Sequence, residues 1–189
     1  MFKDFLDRDI EITKKLLSIE KQIKKAISLI YFTIKKNNKI FICGNGGSAA
    51  DAQHLSAEFL VRLRPKVNRR PLPLISLMQD SSTFSACSND YDFKYIFSRN
   101  LEALAKKNDL LICLTTSGNS KNILEVLKLS KKNKIKSICF LGKKGGKCKG
   151  ISDLDIKIPS DITSKIQECH LMLGHYILEK VEDKILNEK

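Results

Sequence analysis

His54 and Glu58 stand four residues apart in a stretch of chain whose composition favours a helix. Residues at this spacing share one helical face, so an imidazole and a carboxylate would lie side by side. Such a pair can move protons during catalysis or share a metal ion. An isolated pair of this type is more often incidental on an exposed helix, and so its surroundings decide how it is interpreted.

The loop Gly44-Asn-Gly-Gly-Ser48 directly precedes that helix and follows the apolar run 39–43. Glycines let a backbone approach a ligand closely, and the free N–H groups at a helix start attract anions. The loop matches neither the G-x-G-x-x-G dinucleotide motif nor a P-loop, and taken alone it could be only a tight turn. Next to an acid/base or metal pair, it favours an enzyme acting on a phosphorylated small molecule.

A second loop, Thr115-Thr-Ser-Gly-Asn-Ser120, follows another apolar run and precedes another helix. One Ser or Asn is enough to cap a helix, and this loop offers five hydroxyl or amide side chains in six positions. Hydroxyls, a glycine and helix-start N–H groups suit a phosphate. We therefore predict a phosphate site here, on the same sheet edge as the first loop.

The late segment 163–187 contains the other two histidines, His170 and His175, together with Gln167. From Gln167, the two histidines point to opposite sides by similar angles on a helix. Helical spacing alone therefore leaves both open as the partner of His54 and Glu58, and either could be an ordinary core or surface histidine.

The elements that must position these residues alternate between short apolar strands and helices, after a helical segment at 3–36 with a possible break near 18–20. Strands are predicted at 39–43, 73–77, 109–114, 136–141 and 154–158. Helices are predicted at 48–62, 81–88, 92–105, 120–132 and 163–187. This order predicts an α/β fold, a doubly wound and mainly five-stranded parallel sheet with ligands at the carboxyl ends of its strands. We expect one domain over 1–189, with a helical segment at 1–36 that packs on a partner and a core at 37–189.

Composition limits the function classes. The chain has 189 residues, 42% hydrophobic, and a net charge of +13. Its lysines are dispersed and its densest basic cluster, 62–70, reads as a loop, so we expect solubility and attraction of anionic substrates instead of nucleic-acid binding. Six cysteines without a Cys-x-x-Cys pair indicate reduced thiols. Without a signal peptide or an apolar run of spanning length, we expect a cytoplasmic protein that does not enter a membrane.

Taken in order, these motifs resemble the phosphoheptose isomerase family of the SIS (sugar isomerase) fold. The resemblance extends from about residue 37 to the C-terminus, and the N-terminal helices are also of the expected kind. It rests on Gly44–Ser48, Asp51-Ala-Gln-His-x-x-x-Glu58, Asn89-Asp-Tyr91, Phe97-Ser-Arg99, Thr116–Ser120, Gly145-Gly-Lys147 and Ile166-Gln-Glu-x-His170.

The resemblance implies a homotetramer with active sites at subunit interfaces. It also implies conversion of sedoheptulose 7-phosphate to D-glycero-D-manno-heptose 7-phosphate, the first step toward activated heptose for lipopolysaccharide, capsule or other surface polysaccharides. Glu58 and His175 would be catalytic, and one zinc ion per subunit would be held by His54, Glu58, Gln167 and His175. The substrate-binding residues would be Asn45, Gly46, Gly47, Ser48, Glu58, Arg62, Asn89, Asp90, Thr115, Thr116, Ser117, Ser120 and Gln167. Here the resemblance selects His175 over His170.

Two alternatives within the same fold remain to be weighed. A non-catalytic regulator that binds a replication-initiation protein replaces the residue matching Gly47 and lacks the one matching His175, and this chain has both. Hexosamine-type SIS domains usually lack the His-x-x-x-Glu and Ile-Gln-Glu set. Two departures from the family pattern are Thr115, where Ser is usual, and Lys165, where Arg is frequent. The first keeps its hydroxyl, and the second could alter interface geometry.

Overall fold

Five short apolar runs form a parallel sheet at the centre of the computed structural model, which describes residues 1–78 and 80–187. Its strand order is β2-β1-β3-β4-β5, and every neighbouring pair is parallel. Every residue of β1 and β3 is buried, as expected for a parallel sheet covered on both faces. The strands are β1 (Ile40–Gly44), β2 (Leu74–Ser76), β3 (Leu110–Thr115), β4 (Lys136–Leu141) and β5 (Leu154–Lys157).

The helices follow the predicted alternation with the strands. Within the described residues they are α1 (Phe2–Lys15), α2 (Glu20–Lys35), α3 (Gly47–Leu60), α4 (Ser81–Asp90), α5 (Ile96–Leu104), α6 (Lys121–Lys132) and α7 (Thr163–Leu186). A 3-10 turn at Leu16–Ile19 separates α1 from α2, and two more lie at Phe93–Tyr95 and Gly146–Cys148. The predicted break near 18–20 is confirmed, and so is the α/β fold with five parallel strands.

Side chains alternate between the two faces of the sheet because successive residues of a strand point in opposite directions. Ile40 and Ile42 join the core beneath α2, α3 and α7, and Phe41 and Cys43 join the core beneath α5 and α6. The six cysteines are free and buried. Burial raises the pKa of Cys113 well above its ordinary value, as expected for a thiol that packs as a small apolar side chain.

Helix α1 differs from the other α-helices of the described chain because none of its residues is buried. Its apolar residues nevertheless recur on one face, and Phe2, Phe5, Leu6 and Ile10 are all exposed. One polar anchor joins it to the core: the Lys165 ammonium on α7 lies 2.7 Å from the Asp9 carboxylate and 3.5 Å from the centre of the Phe5 ring. The exposed apolar face is available for contact with another surface.

Candidate active site

The two predicted ligand loops lie side by side at the carboxyl edge of the sheet. Strand β1 lies between β2 and β3. After β1 the chain continues to β2 on one side of the sheet, and after β3 it continues to β4 on the other side. A sheet with this order opens a crevice between the loops that follow those two strands. Gly44 pairs with Leu114 in the register, which brings the starts of the loops 45–46 and 116–120 together.

The side chains of Asn45, in the first loop, and of Asn122, in the first turn of α6, hydrogen-bond to each other and so join the two segments. The Asn45 amide donates to Asn122 Oδ1 at 2.9 Å, and the Asn122 amide donates to Asn45 Oδ1 at 2.8 Å. Asn122 Oδ1 also accepts the N–H of Ile123 at 2.9 Å. Asn122, which is only 1% exposed, is a structural residue of the site that the sequence analysis missed. The sequence offered no periodicity or motif that pairs residues 77 positions apart.

The hydroxyl-rich loop 115–120 uses some of its side chains to hold its own shape. Thr115 Oγ1 accepts the N–H of Gly118 at 3.2 Å, and Ser117 Oγ accepts the N–H of Asn119 at 3.1 Å. Ser120 precedes α6 without a side-chain capping bond, so its hydroxyl is not used to cap the helix. A cavity of about 410 Å³ adjoins the loop. Its lining includes Thr116, Ser117, Asn119, Lys143, Lys144 and Ser160.

His54, Glu58 and His175 come together where α3, the helix that follows the glycine loop, meets α7. Helix α3 begins at Gly47 and supplies the first two, and α7 supplies His175. His54 Nε2 lies 2.8 Å from His175 Nε2 and 3.4 Å from Glu58 Oε1. The histidine rings meet edge to face, at an interplanar angle of 83°. The His54 side chain is 48% exposed and that of Glu58 20%, so a substrate in solution can reach the cluster.

A glycine lets α3 and α7 approach closely enough for this contact. A Cβ placed on Gly174 would come within 2.6 Å of Leu55 Cδ1, so only glycine fits without displacing that side chain. Gly174 directly precedes His175, and Leu55 directly follows His54. The closest approach of the helices is therefore at the level of the two histidines.

Gln167 lies against Gly47, the first residue of α3. A Cβ on Gly47 would come within 2.7 Å of Gln167 Nε2. The absence of a side chain at Gly47 therefore leaves the space that the Gln167 amide occupies. Helix α7 thus contacts segment 44–58 twice, through Gln167 at Gly47 and through His175 at His54.

His170 lies away from the cluster, in the core beneath the sheet. It is fully buried, and its ring meets Phe140 edge to face at 5.6 Å between centroids. Neither ring nitrogen has a hydrogen-bond partner of ordinary geometry in the described chain. Burial lowers the pKa of His170 to about 4, opposed weakly by the nearby Leu141 backbone. The geometry thus separates the two late histidines, which helical spacing could not.

Asp51 is a second residue that the sequence analysis did not assign to the site. It stands one helical turn before His54, and its Oδ2 is buried without a hydrogen-bond partner. Burial raises the pKa of the Asp51 carboxyl, while attraction to His54 and His175 opposes the rise. Its three-residue spacing from His54 was a usable signal, because residues three apart also share a helical face.

The other predicted substrate residues have different surroundings. Ser48 is buried in the first turn of α3. Arg62, Asn89 and Asp90 are exposed, and the Asn89 amide donates to the Asp90 carboxylate at 2.9 Å. Among the described residues, no hydrogen bond or ion pair links those three side chains to the histidine–glutamate cluster.

The cluster is a possible metal site. Donor atoms of His54, Glu58 and His175 all lie within 4.8 Å of one another. In a tetrahedral zinc site, two ligand nitrogens are roughly 3.3 Å apart, so the histidine contact would widen by about half an ångström. Two imidazoles and a carboxylate form a borderline donor set that zinc accepts. The residues therefore fit this ion.

Comparison with known proteins supports the assignment suggested by this geometry. A family model described as the SIS domain matches residues 4–142. The chain belongs to the SIS domain family. Among curated SIS relatives, the phosphoheptose isomerase of Helicobacter pylori strain P12 is 41% identical, across 95% of this chain and 93% of the relative. That of Aliarcobacter butzleri strain RM4018 is 40% identical, across 98% and 97%.

Solved SIS structures show the same agreement. A phosphoheptose isomerase from Francisella tularensis superposes with a TM-score of 0.91 at 28% identity, covering 96% of each chain. One from Neisseria gonorrhoeae gives 0.87 at 30% identity, covering 96% of this chain and 97% of the other. The resemblance to this branch of the SIS family is confirmed, and the replication-regulator alternative is not supported. No helix among the described residues has the length and apolar character needed to cross a membrane.

Proposed function

We propose that this chain is an aldose–ketose isomerase that converts sedoheptulose 7-phosphate to D-glycero-D-manno-heptose 7-phosphate. The observation that carries the proposal is the partly exposed cluster of His54, Glu58 and His175, in which two imidazoles and a carboxylate come together. Full-length relatives about 40% identical and named phosphoheptose isomerase support this substrate over other sugar phosphates.

The two loops divide the binding of the substrate. The segment 115–120, with the N–H groups at the start of α6, suits the phosphate because its groups donate hydrogen bonds toward an anion. The segment 44–48 lets the open-chain sugar lie close to the backbone and directs the reacting carbons toward α3. Asn89, Asp90 and Arg62, all exposed, are assigned to the sugar hydroxyls by family resemblance.

The chemistry moves a proton between adjacent carbons through an enediol. The Glu58 carboxylate removes the proton from C1 of the ketose and returns it to C2. His175 protonates the carbonyl oxygen on C2 and accepts the proton of the hydroxyl on C1. Both roles reverse in the other direction. A positioned acid or base of this type contributes typically about 10²- to 10⁴-fold to a rate.

His54, Glu58, Gln167 and His175 would hold the zinc ion, which would supply Lewis-acid polarisation of the substrate oxygens. The proton acceptor would still be Glu58 of the chain itself. Gln is an uncommon zinc ligand, so we expect modest affinity.

We further propose that the chain forms a homotetramer in the cytoplasm, with surface polysaccharide as the destination of the heptose. The exposed apolar face of α1 supports assembly, since apolar side chains at this density usually contact a partner. Light scattering tests this assembly: a mass four times that of the chain is expected, and a stable, active monomer would contradict it.

An assay of purified protein on sedoheptulose 7-phosphate tests the function. We expect the wild type to form the aldose, and Glu58→Gln and His175→Gln each to lower kcat by about 10²- to 10⁴-fold. His170→Leu is the matched control, because that histidine lies outside the crevice, and its kcat should match that of the wild type. Turnover like that of the wild type in both site variants would overturn the assignment of roles.

A further inference from the structure

The basic segment 62–70, predicted to be a loop, turns two of its arginines into the protein. The Glu182 carboxylate on α7 is fully buried and accepts hydrogen bonds from Arg69 Nε and Arg64 Nε, both at 2.5 Å. The Arg69 side chain is 2% exposed, whereas that of Arg64 is 31% exposed and also pairs with Asp183 at 2.8 Å. Arg69 is therefore unavailable to a dissolved anion.

The Arg69 guanidinium also caps the C-terminal end of α3, the helix that carries Glu58. Its Nη2 donates to the backbone carbonyl of Glu58 at 2.9 Å, and its Nη1 donates to that of Phe59 at 3.0 Å. The same group lies 5.5 Å from the centre of the Phe59 ring. The last carbonyls of a helix have no partner within it, and a cation there is favourable. Arg69 thus fixes the last turn of α3, the turn from which Glu58 projects.

Glu182 connects this contact to the other half of the site. It follows His175 by seven residues, which is close to two helical turns, so α7 presents both side chains on nearly the same face. Helix α7 therefore meets α3 twice: through His175 at His54, and through Glu182 and Arg69 at the Glu58 carbonyl. Two contacts along one helix fix both its distance and its rotation relative to its neighbour.

Arg69 and Glu182 could serve only to stabilise the fold, or they could also position the site residues. The energetics of buried ion pairs distinguishes these two roles. Buried ion pairs are weak evidence for stability, because apolar residues of similar volume often replace them without loss. Apolar residues cannot donate to the Glu58 and Phe59 carbonyls. Replacement of the Arg69–Glu182 pair by apolar residues therefore removes its positioning role and can leave the stability of the fold unchanged.

We propose that Arg69, held by Glu182, is a positioning residue that keeps the Glu58 carboxylate of α3 in register with His175 of α7. The proposal rests on the proposed isomerase function for its kinetic consequence. Its geometric consequence, the arrangement of the two site histidines, is independent of which sugar phosphate is the substrate.

The test compares wild type with the double variant Arg69→Met/Glu182→Leu, which leaves no unpaired buried charge because Arg64 keeps Asp183. Circular dichroism first establishes that the variant is folded at the assay temperature. We expect kcat to fall by about tenfold to a hundredfold while KM stays within about threefold, since misplaced reacting groups cost chemistry more than binding. In chelator-treated protein, nitrogen-15 spectra of the histidine rings should show displaced His54 and His175 signals and an unmoved His170 signal.

Arg70→Met is the matched control, because Arg70 is exposed and its neighbour Arg69 uses only its backbone carbonyl. It should keep both kcat and the ring signals. A folded double variant with kcat within about twofold of wild type, or with unchanged His54 and His175 signals, would overturn the proposal. If the double variant does not fold, Arg69→Lys, which keeps the charge but not the forked donors, is judged by the same two criteria. If wild type does not isomerise the sugar, the proposed function fails and the ring signals alone decide this proposal.

Discussion

The Nε2 atoms of His54 and His175 lie 2.8 Å apart, although 121 positions separate the residues in the chain. Two ring nitrogens at this distance share one proton, so one imidazole donates and the other accepts. The contact shows that α3 and α7 lie close together at this level.

Removal of His54 should weaken zinc binding. His54→Ala removes one of the two imidazoles from the donor set. Loss of a residue that only supports a ligand costs about 10- to 100-fold in metal affinity, so loss of a ligand itself should lower zinc affinity by more than about a hundredfold. Competition against a coloured zinc chelator at fixed pH measures the change. His170→Leu should bind zinc like wild type. Equal affinity in His54→Ala and wild type would show that the cluster is not the zinc site.

Gly47→Ala should impair catalysis without unfolding the protein. The new methyl meets the end of the Gln167 side chain, which can swing away and so leave its place in the site. We expect kcat to fall by about tenfold or more, while thermal stability changes little because alanine suits a helix. Steady-state kinetics and thermal unfolding measure the two effects.

The control for that variant is Gly150→Ala, at a left-handed position with φ +77° and open space around it. Strain there should cost roughly 1–2 kcal/mol of stability and leave kcat unchanged. If Gly47→Ala instead behaves like Gly150→Ala, losing stability but not rate, then Gln167 has no role in the reaction.

Asn122→Ala should loosen the two ligand loops from each other. It removes both amide bonds to Asn45 and leaves that partly buried amide without these partners, at a cost of about 1–3 kcal/mol in urea unfolding. Because the proposed binding mode places opposite ends of the substrate on the two loops, we expect KM to rise by roughly three- to tenfold, with a smaller effect on kcat. Asn133→Ala, at the other end of α6, should leave KM unaltered. An unchanged KM in Asn122→Ala would contradict the idea that this pair sets the spacing of the loops.

His170 should make the protein sensitive to acid. Its folded-state pKa of about 4 lies below the ordinary 6.5, so the unfolded chain takes up the proton first. This contribution to stability is complete above pH 6.5 and is lost as the pH falls from there toward 4, by about 3 kcal/mol in total. Urea unfolding at pH 7.5 and pH 4 should show a smaller loss in His170→Leu than in wild type. Equal losses in the two proteins would mean that another group is responsible.

The sequence predicts the sheet well because its strands are apolar on both faces and its loops carry Gly, Ser and Thr at the strand ends. The α/β pattern also predicts that 44–48 and 115–120 lie on the same sheet edge, and the strand order of the structure places them side by side. Long-range side-chain partners could not be predicted in this way. Asn122 and Glu182 each find partners more than 70 residues away, and neither position has a local pattern that distinguishes it.

The histidines show the same limit in a single helix. Periodicity places His170 and His175 on α7 but does not say which side of the helix faces α3. That choice depends on packing, in which Gly174 admits Leu55 and Phe140 receives the ring of His170. Asp51 was within reach of periodicity and was overlooked. The inward turn of Arg69 was not, because a basic loop is usually solvated.

Incorporation of solvent deuterium during turnover tests the proton transfer at the centre of this mechanism most directly. Glu58 is partly exposed, so the proton it removes should exchange with the solvent before it is returned. In D2O, wild type should place deuterium on C2 of the aldose and on C1 of recovered sedoheptulose 7-phosphate, as observed by NMR, and Glu58→Gln should place none. Deuterium incorporation by Glu58→Gln at the wild-type rate, or wild-type product without deuterium at C2, would contradict the role of Glu58 as the base.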